Sequence, residues 1–492
     1  MNVSVSPGSS QEKQLFGHPR GLMTLFLTEM WERSTYYGAR AILILFMTAL
    51  IADGGLGIDD ATASSIYGLY ISATYLLSLW GGWVADRLIG QQRAVIAGGV
   101  LIMVGNAMLV VSDTRFFFVG LTIIVFGTGL LKPNISAMVA QLYPEGGARR
   151  DAGFSIFYMG INVGATLGQV LIPIIAVQAG WKIGFVVPAI GMLLGVVQFW
   201  FGRKYLSAAG AHRQGAPAGW WPVYALVILT LLIIVLAFTN VIKLNPSAIS
   251  ATANWAMIAL ATLYFLYLIF FAGLDPTERG RVFVMIALFI ACAMFWMGYE
   301  QTGASLTLFA DRYTNRDVFG WTVPAGAVQS FNSIYIIIFA PFFAALWVWL
   351  GKRNLNPSAP FKFALGLLLM GTGFAVMVAA SHYVLQGQTV ALGWLAITYM
   401  CHTWGELCLS PVGLSSMTKL APARFVGQVM GVWFLATAIG NNLAGRFSSE
   451  IDPTHLETMP TIFSRLFWFG LIGGIVLFAI TPFAKRLIKG AD

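Results

Sequence analysis

The chain has 492 residues, of which 58% are hydrophobic and only 10% are charged. This balance excludes a soluble globular protein and indicates an integral membrane protein with many spans. The net charge of +9 would favour a nucleic-acid partner in a soluble protein, but it fits the excess of Lys and Arg in cytoplasmic loops, so we expect no nucleic-acid partner.

Apolar segments long enough to cross a bilayer follow one another along the chain. A span needs about 20 mainly apolar residues, so each segment predicts one transmembrane helix. The sequence therefore predicts an all-α polytopic membrane protein with 14 transmembrane helices. The predicted spans are 22–50, 63–84, 94–112, 117–140, 153–177, 184–201, 220–242, 254–272, 282–309, 323–350, 363–384, 391–418, 425–447 and 461–482.

The loops between these spans predict the orientation of the chain. Alternate loops, starting from the N-terminal segment, hold 19 Lys and Arg, the opposite set holds 7, and 3 lie inside spans. Because positive charge is retained on the cytoplasmic side, we expect both termini in the cytoplasm. Residues 1–21 contain no apolar stretch with a cleavage site, so they predict a cytoplasmic tail rather than a signal peptide.

Two polar loops divide the fourteen spans into six, two and six. The two middle spans have no charged residue in their interiors, and we expect them to form a lipid-facing hairpin; a bundle of fourteen helices without such a division is the alternative. The predicted domains are a cytoplasmic tail (1–21), an N-terminal six-helix bundle (22–201), a linker with two inserted helices (202–281), a C-terminal six-helix bundle (282–482) and a second cytoplasmic tail (483–492).

The first span, which contains EMWERSTYYGAR, carries four charged residues. An unpaired ion inside a span costs about 2.5 to 3.5 kcal/mol or more, so these side chains should face a wet interior. Helical spacing of three, four and seven residues places them on one stripe together with two tyrosines. The stripe consists of Glu29, Glu32, Arg33, Tyr36, Tyr37 and Arg40.

Three further ionisable residues lie inside later spans: Lys132, Glu300 and Glu406. Opposite charges recover much of their burial cost when they pair. Since Arg40 and Lys132 belong to the first predicted bundle and the two carboxylates to the second, we predict ion pairs between the bundles that close a shared cavity. The alternative is that such pairs only hold the bundles together.

Other residue types in the spans are less specific. Asn162 and Asn332 place one amide in each predicted bundle, but an amide in a span more often joins helices than binds a ligand. Tyr75 and Trp433 could line a cavity, although packing is the commoner role of an aromatic side chain. His402, one turn before Glu406, could relay protons or simply be held by a hydrogen bond.

The charged stripe is part of a wider pattern. EMWERSTYYG resembles the ExxERFxYYG signature of the proton-coupled oligopeptide transporters, a branch of the major facilitator superfamily. GGWVADRLIG is similar to that family's motif between the second and third helices, FYMGINVGATLG to its fifth-helix motif, and GELCLSPVGLS to a motif of the second bundle. The inserted helix pair resembles the bacterial members, and the implied fold is the major facilitator fold.

The resemblance implies roles for the charged residues. Glu29, Glu32 and Arg33 match the family's proton-coupling trio, and Arg33 also meets the substrate carboxylate. Lys132 matches a fourth-helix lysine that binds the same carboxylate. Glu300 matches a seventh-helix carboxylate that pairs across the bundles, and we assign it to both proton coupling and substrate binding.

The resemblance also implies how the rest of a peptide is held. The amino terminus is expected at Asn162, Asn332 and Glu406, and the tyrosines are expected to contact the peptide backbone and side chains. Departures exist, because Ser34 and Thr35 stand where the family usually has Phe and Ser. Apart from Arg33 and Lys132, the predicted substrate-binding residues are Tyr36, Tyr37, Arg40, Tyr75, Asn162, Glu300, Asn332, Glu406 and Trp433.

We therefore expect a symporter of the bacterial inner membrane that imports di- and tripeptides together with protons. The three interior cations also permit a transporter of nitrate or another small anion, against which Glu406 and the two asparagines argue. The spans show no ring of like charges, which a channel needs, and no metal or nucleophile constellation, so we expect no enzymatic activity. We expect no cofactor besides the proton gradient, and a monomer.

Overall fold

The computed structural model describes residues 14–15, 17–111, 113–144, 147–206, 208–211, 219–355, 357–451 and 455–488. Most of the predicted N-terminal tail and the last four residues of the predicted C-terminal tail lie outside these ranges. Within them the structure has fourteen long helices and one short helix, α10. The helices are α1 (Arg20–Thr48), α2 (Asp60–Val84), α3 (Gln91–Leu109), α4 (Thr114–Gln141), α5 (Gly147–Ala179), α6 (Trp181–Gly202), α7 (Trp221–Phe238), α8 (Pro246–Phe270), α9 (Pro276–Tyr299), α10 (Ser305–Tyr313), α11 (Ser330–Lys352), α12 (Ala359–Leu385), α13 (Gly393–Leu420), α14 (Val426–Ser448) and α15 (Thr458–Ile488).

Every predicted span corresponds to a long helix. Among the described residues, ten helical segments are both long enough and apolar enough to cross a membrane. The other four long helices, α1, α2, α13 and α14, carry the charged and polar side chains that lower their hydropathy. Low hydropathy therefore marks helices whose polar residues are buried inside the protein, such as Glu32 on α1 and Asn442 on α14.

Helices α1 to α6 pack on one another, and so do α9 and α11 to α15. In the first group, α5 approaches α1 closely because Gly160, Gly164 and Gly168 recur at every fourth position. A Cβ atom added to Gly164 would collide with the backbone carbonyl oxygen of Met30, so only glycine permits this contact. The close contact brings the fifth-helix residues beside the charged stripe of α1.

The predicted ninth span is interrupted. Instead of one helix over 282–309, the chain forms a 3-10 turn at Glu300–Gly303 between α9 and α10. The hydroxyl of Tyr67 on α2 occupies the space that a side chain at position 303 would need. The break places Glu300 at a helix end, beside α1 and α2.

The inserted helices differ from each other. None of the described residues of α7 is buried. In contrast to the expected lipid-facing hairpin, α8 buries one face, which includes Ser250, Met257 and Phe265, against α2, α9 and α14. Helix α8 is therefore in contact with both groups of helices.

Short strands lie at the ends of the helices. β1 (Gln14–Leu15) pairs with β2 (His18–Pro19) just before α1. After α10, β3 (Thr314–Asn315) pairs in parallel with β6 (Val390–Ala391), and β4 (Asp317–Val318) forms a hairpin with β5 (Trp321–Thr322). Helix α15 continues to Ile488, so residues 483–488 of the predicted C-terminal tail are helical, with Lys485 and Arg486 in the last turn.

Candidate functional site

A cavity lies between the two groups of helices, and residues from both line it. Seven of the eleven predicted substrate-binding residues are on its walls: Tyr37, Arg40, Tyr75, Asn162, Glu300, Asn332 and Glu406. The cavity thus brings charges of both signs and two amides together in one space between the groups.

The cavity is closed on the side where α1 ends and α2 begins. There Arg40 donates to the carboxylate of Glu300 and to the hydroxyl of Tyr67, and all three side chains are buried. Nearer the surface, Arg312 Nη2 lies 2.8 Å from Asp60 Oδ1. The Arg40–Glu300 pair joins α1 to the turn after α9, and the Arg312–Asp60 pair joins α10 to α2, so ion pairs hold the two groups together on this side.

The same side is also closed by neutral contacts. Ser64 Oγ lies 3.1 Å from Ser448 Oγ, which joins α2 to α14, and Thr166 Oγ1 lies 2.9 Å from Ser333 Oγ, which joins α5 to α11. At the other end of the cavity, Tyr158 near the start of α5 is 41% exposed. The cavity therefore opens toward the side where α1 and α5 begin.

The charged trio of α1 forms a buried cluster. Arg33 Nε lies 2.7 Å from Glu29 Oε1 and 2.8 Å from Glu32 Oε2. The hydrogen bond is directed at Glu29, and both oxygens of Glu32 are buried without a hydrogen-bond partner in the described part of the chain. Glu32 is thus held by charge attraction alone, and a proton on it would remove one of the two anions that face Arg33.

The aromatic residues connect this cluster to the cavity. The rings of Tyr36 and Tyr37 lie edge to face, 5.2 Å apart, and the Arg33 guanidinium lies 5.7 Å from the Tyr36 ring centre. Lys132 Nζ lies 3.8 Å from the ring centre of Tyr75, which is a cation–π contact. Three predicted substrate-binding residues do not line the cavity: Arg33, Tyr36 and Lys132. They lie next to it, because Lys132 contacts Tyr75 on the wall, and Arg33 contacts Tyr36, whose ring meets that of Tyr37 on the wall.

Glu406 and Asn332 face each other across α11 and α13. Asn332 Nδ2 donates to Glu406 Oε2 and to Thr403 Oγ1, both at 3.0 Å. On the opposite wall, Asn162 Nδ2 donates to the backbone carbonyl of Tyr158 at 3.0 Å. This part of the cavity offers a carboxylate that is fixed by an amide, and it is the region the sequence assigns to an amino group.

Of the two ion pairs expected between the groups, the structure contains the one between Arg40 and Glu300. Among the described residues no ion pair joins Lys132 to Glu406, because Lys132 stacks on Tyr75 and Glu406 accepts from Asn332. The difference fits the closure, since Arg40 lies on the closed side, whereas Lys132 on α4 contacts Tyr75 of its own group of helices.

Comparison with known proteins agrees with this architecture. The family model described as the POT family matches residues 92–460. Peptide transporter YePEPT of Yersinia enterocolitica subsp. palearctica serotype O:3 is 41% identical, covering 100% of this chain and 99% of its own. The chain belongs to the POT family. A di-/tripeptide transporter of Lactococcus lactis subsp. lactis is 34% identical, covering 97% of both chains.

A solved structure of a POT-family protein shows the same fold. A mutant of peptide transporter POT in complex with alafosfalin has a TM-score of 0.89 and 40% sequence identity, and the match covers 97% of this chain and 98% of that one. The all-α major facilitator fold expected from the sequence is thereby confirmed, and this POT-family chain is a multi-pass membrane transporter.

Two residues considered in the sequence lie away from the cavity of this POT-family protein. Trp433 was expected on its wall, but it is buried against Phe363, with ring centres 6.0 Å apart, and it covers Gly413. His402 is fully buried beside Phe374, and neither ring nitrogen has a hydrogen-bond partner in the described part of the chain. In both cases the ring packs inside the second group of helices.

Sequence reasoning missed several residues of the cavity wall. Gln169 could have been found, because it follows Asn162 by seven residues and so lies on the same face of α5. Trp296 and Tyr299 precede the charged Glu300 by four and one residues, but an aromatic side chain in a span indicates packing as readily as a cavity wall. The other missed residues belong to segments without a charged neighbour or to the turn after α9, which the hydropathy pattern does not reveal. The missed residues with polar side chains are Tyr158, Gln169, Trp296, Tyr299, Thr302, Gln329 and Ser333.

Proposed function

We propose that this chain is a proton-coupled symporter that imports di- and tripeptides by alternating access. The observation that carries the proposal is the distribution of charge around one cavity. Arg40 and the neighbouring Arg33 and Lys132 provide cations, and Glu406 with Asn332 provides an anion held by an amide. A zwitterionic peptide presents one carboxylate and one ammonium, which these two ends complement.

The names of the relatives support peptide as the substrate. The Lactococcus lactis protein is a di-/tripeptide transporter, and the Yersinia protein is a peptide transporter. Recognition of the two charged termini leaves the side chains to the remaining walls, which include aromatic and neutral polar residues. We therefore propose broad specificity toward peptides of two or three residues.

The proton enters this proposal at the buried trio of α1. A proton on Glu32 or Glu29 would leave Arg33 with one anionic partner instead of two, so that Arg33 can attract the substrate carboxylate. One proton crossing 100 mV supplies about 2.3 kcal/mol, and one pH unit adds about 1.4 kcal/mol. Together these energies correspond to accumulation of roughly several hundredfold at one proton per peptide.

Orientation and conformation follow from the loop charges. With both termini in the cytoplasm of a bacterial inner membrane, the closed side at Arg40 and Glu300 faces outward and the cavity opens inward. Rocking of the two bundles would break this pair and allow Lys132 to meet Glu406. The proposed cycle needs no cofactor beyond the proton gradient and no catalytic step.

Uptake into proteoliposomes tests the function. With an inward proton gradient, we expect labelled Ala-Ala to accumulate above its external concentration, and this accumulation should disappear when a protonophore is added. Under the same gradient nitrate should not accumulate, because Glu406 repels a small anion. Accumulation of nitrate without that of Ala-Ala would contradict the proposal and support the small-anion alternative.

A further inference from the structure

The cavity has a neutral polar end that the proposed binding of peptide termini does not use. This end consists of Gln169 on α5 and of Thr302, Gln329 and Ser333 in the second group of helices. It lies at the closed side, where Ser333 also contacts Thr166. We refer to Gln169 and Gln329 together as the amide pair.

Each member of the amide pair has one end of its side chain fixed. Gln169 Oε1 accepts from Ser333 Oγ at 3.2 Å, and Gln329 Nε2 donates to Thr307 Oγ1 at 2.9 Å. In the described part of the chain, no hydrogen-bond partner is found for Gln169 Nε2 or for Gln329 Oε1. Both atoms are accessible from the cavity, because neither is an unpaired polar atom buried away from solvent. One donor and one acceptor therefore remain available at the cavity wall.

The two glutamines are connected through Ser333. Ser333, which fixes Gln169, follows Gln329 by four residues and so lies about one helical turn, roughly 5 to 6 Å, from it. Because one amide belongs to α5 and the other to the segment before α11, the pair is assembled only when the two groups of helices meet on this side.

We propose that Gln169 and Gln329 form a subsite for a carboxamide group of the substrate. Gln169 Nε2 donates to the carbonyl oxygen of the carboxamide, and Gln329 Oε1 accepts from its N–H. A carboxamide has a hydrogen-bond acceptor and a hydrogen-bond donor in one plane. An aliphatic side chain would leave the free ends of the two glutamines without a hydrogen bond, and an ammonium or carboxylate would meet no free opposite charge. The inference rests on the proposed peptide transport.

The position of the subsite limits where this group sits in a peptide. Gln169 follows Asn162 by seven residues, which is about 10 Å along a helix at roughly 1.5 Å per residue. Extended peptide spans at most about 3.3 to 3.6 Å per residue, so this distance from an amino terminus at Asn162 corresponds to about three extended residues, or to two residues and a long side chain. The source of a group bound here is either an Asn or Gln side chain or the second peptide bond of a tripeptide.

Competition for equilibrium binding of labelled Ala-Ala to the purified protein tests the subsite, because binding at equilibrium includes the state in which the two groups of helices meet. The competitors are unlabelled Ala-Gln, Ala-Leu and tri-alanine, and the variants are Gln169→Leu and, as matched control, Gln198→Leu, which changes a glutamine of the same bundle outside the cavity. In Gln169→Leu we expect the half-inhibitory concentration of Ala-Gln, of tri-alanine or of both to rise about five- to tenfold relative to Ala-Ala, the effect of one lost hydrogen bond.

The pattern of this change identifies the source of the carboxamide. A rise for Ala-Gln alone assigns the subsite to a side chain, and a rise that includes tri-alanine assigns it to the peptide bond. Ala-Leu should change less than about twofold. An unchanged ratio for both Ala-Gln and tri-alanine, an equal rise for all three competitors, or the same pattern in Gln198→Leu would overturn the subsite.

Two measurements keep the subsite separable from transport itself. If the unsubstituted protein does not take up Ala-Ala, the proposed function fails, whereas normal Ala-Ala uptake with an unchanged ratio removes only the subsite. If Gln169→Leu no longer binds labelled Ala-Ala, direct equilibrium binding of Ala-Gln, tri-alanine and Ala-Leu to purified Gln329→Met decides. Selective loss of Ala-Gln or tri-alanine binding supports the subsite, and parallel loss or retention of all three peptides refutes it.

Discussion

Arg33 shows how a single residue can connect proton and substrate binding. Its Nε is shared between two carboxylates of the same helix, at 2.7 and 2.8 Å. No hydrogen bond of its two terminal nitrogens is found among the described residues, so the guanidinium retains donors for a further anion. Protonation of either carboxylate changes the charge balance at Arg33 without requiring movement of the helix.

We expect Glu32→Gln to separate proton coupling from substrate exchange. The amide cannot take up a proton, so accumulation of Ala-Ala driven by a pH gradient should fall at least about tenfold, whereas counterflow exchange should stay within about twofold. Both are measured in proteoliposomes. Glu278→Gln, which keeps the capping box of α9 at a partly exposed position, is the control, and unchanged pH-driven accumulation in Glu32→Gln would refute the coupling role.

A second residue-scale prediction concerns the amino terminus of the peptide. Glu406→Gln retains the contact with Asn332 but removes the negative charge. Hydrogen bonds to a charged group contribute about 1.5 to 3 kcal/mol, so affinity for Ala-Ala should fall roughly 10- to 100-fold. Inhibition constants for Ala-Ala and N-acetylated Ala-Ala give the comparison, and an equal loss for both peptides would show that the carboxylate is only structural.

The sequence predicted the charged residues of the site better than the neutral ones. Glu32 and Glu406 stand out because a charge inside an apolar span is costly without a purpose. Gln169 does not stand out, because a neutral amide in a span usually joins helices. Trp433 does not line the cavity in this structure, because its ring packs against Phe363, and an aromatic side chain in the sequence fits a cavity wall and a core equally well.

At the scale of elements, apolar length predicted the helices and packing determined their details. Fourteen segments became fourteen long helices in the described chain. The interruption at Glu300–Gly303 could not be read from hydropathy, because it depends on Tyr67 of a distant helix occupying the space beside Gly303. Neither inserted helix has a charged residue in its interior, yet only α8 has a buried face among their described residues.

The buried face of α8 is fixed by polar contacts at its N-terminal end. Ser250 Oγ donates to Asn442 Oδ1 at 2.6 Å, and Asn442 Nδ2 donates to the carbonyl of Ser250 at 2.8 Å. Three residues earlier, Ser247 Oγ lies 3.1 Å from Ser65 Oγ of α2. One end of α8 is therefore hydrogen-bonded to a helix of each bundle.

We expect Ser250→Ala to destabilise the fold through this contact. The substitution leaves the buried Asn442 Oδ1 without its donor, which should lower the free energy of unfolding by about 1 kcal/mol. Unfolding of the purified protein in SDS measures the change. Thr252→Ala removes a hydroxyl from an exposed position of the same helix and should change the value by less than about 0.5 kcal/mol. Equal effects of the two substitutions would show that the contact between Ser250 and Asn442 does not fix the position of α8.

At the scale of the whole molecule, the two bundles meet on one side and separate on the other. The closed side combines the buried pair of Arg40 and Glu300 with the partly exposed pair of Arg312 and Asp60. The sequence alone could not tell which side is closed. The same chain can form the Arg40–Glu300 and Arg312–Asp60 pairs when one side is closed, or the Lys132–Glu406 pair when the other side is closed. Which pair forms is set by the conformation and not by the order of the charges along the chain.

Breaking the buried pair should therefore open the closed side. Removing one partner of a buried ion pair costs about 3 to 5 kcal/mol, whereas a partly exposed pair contributes about 0 to 1 kcal/mol. In the double variant Arg40→Met/Glu300→Gln no uncompensated charge remains, and we expect the population that is open on this side to rise at least about tenfold, which corresponds to about 1.4 kcal/mol. Arg312→Gln, whose native side chain is 30% exposed, should shift this population much less.

Distances between spin labels on this side measure the shift. Ile51 follows α1 and Phe319 lies in the β4–β5 hairpin, and they are 76% and 106% exposed, so labels there should not disturb packing. Since Cys292, Cys401 and Cys408 are buried, labelling can be directed to the introduced cysteines. A longer distance should gain population in the double variant and only slightly in Arg312→Gln. If both variants keep the unsubstituted distribution, neither ion pair holds this side closed, and closure depends on the neutral contacts of α2 with α14 and of α5 with α11.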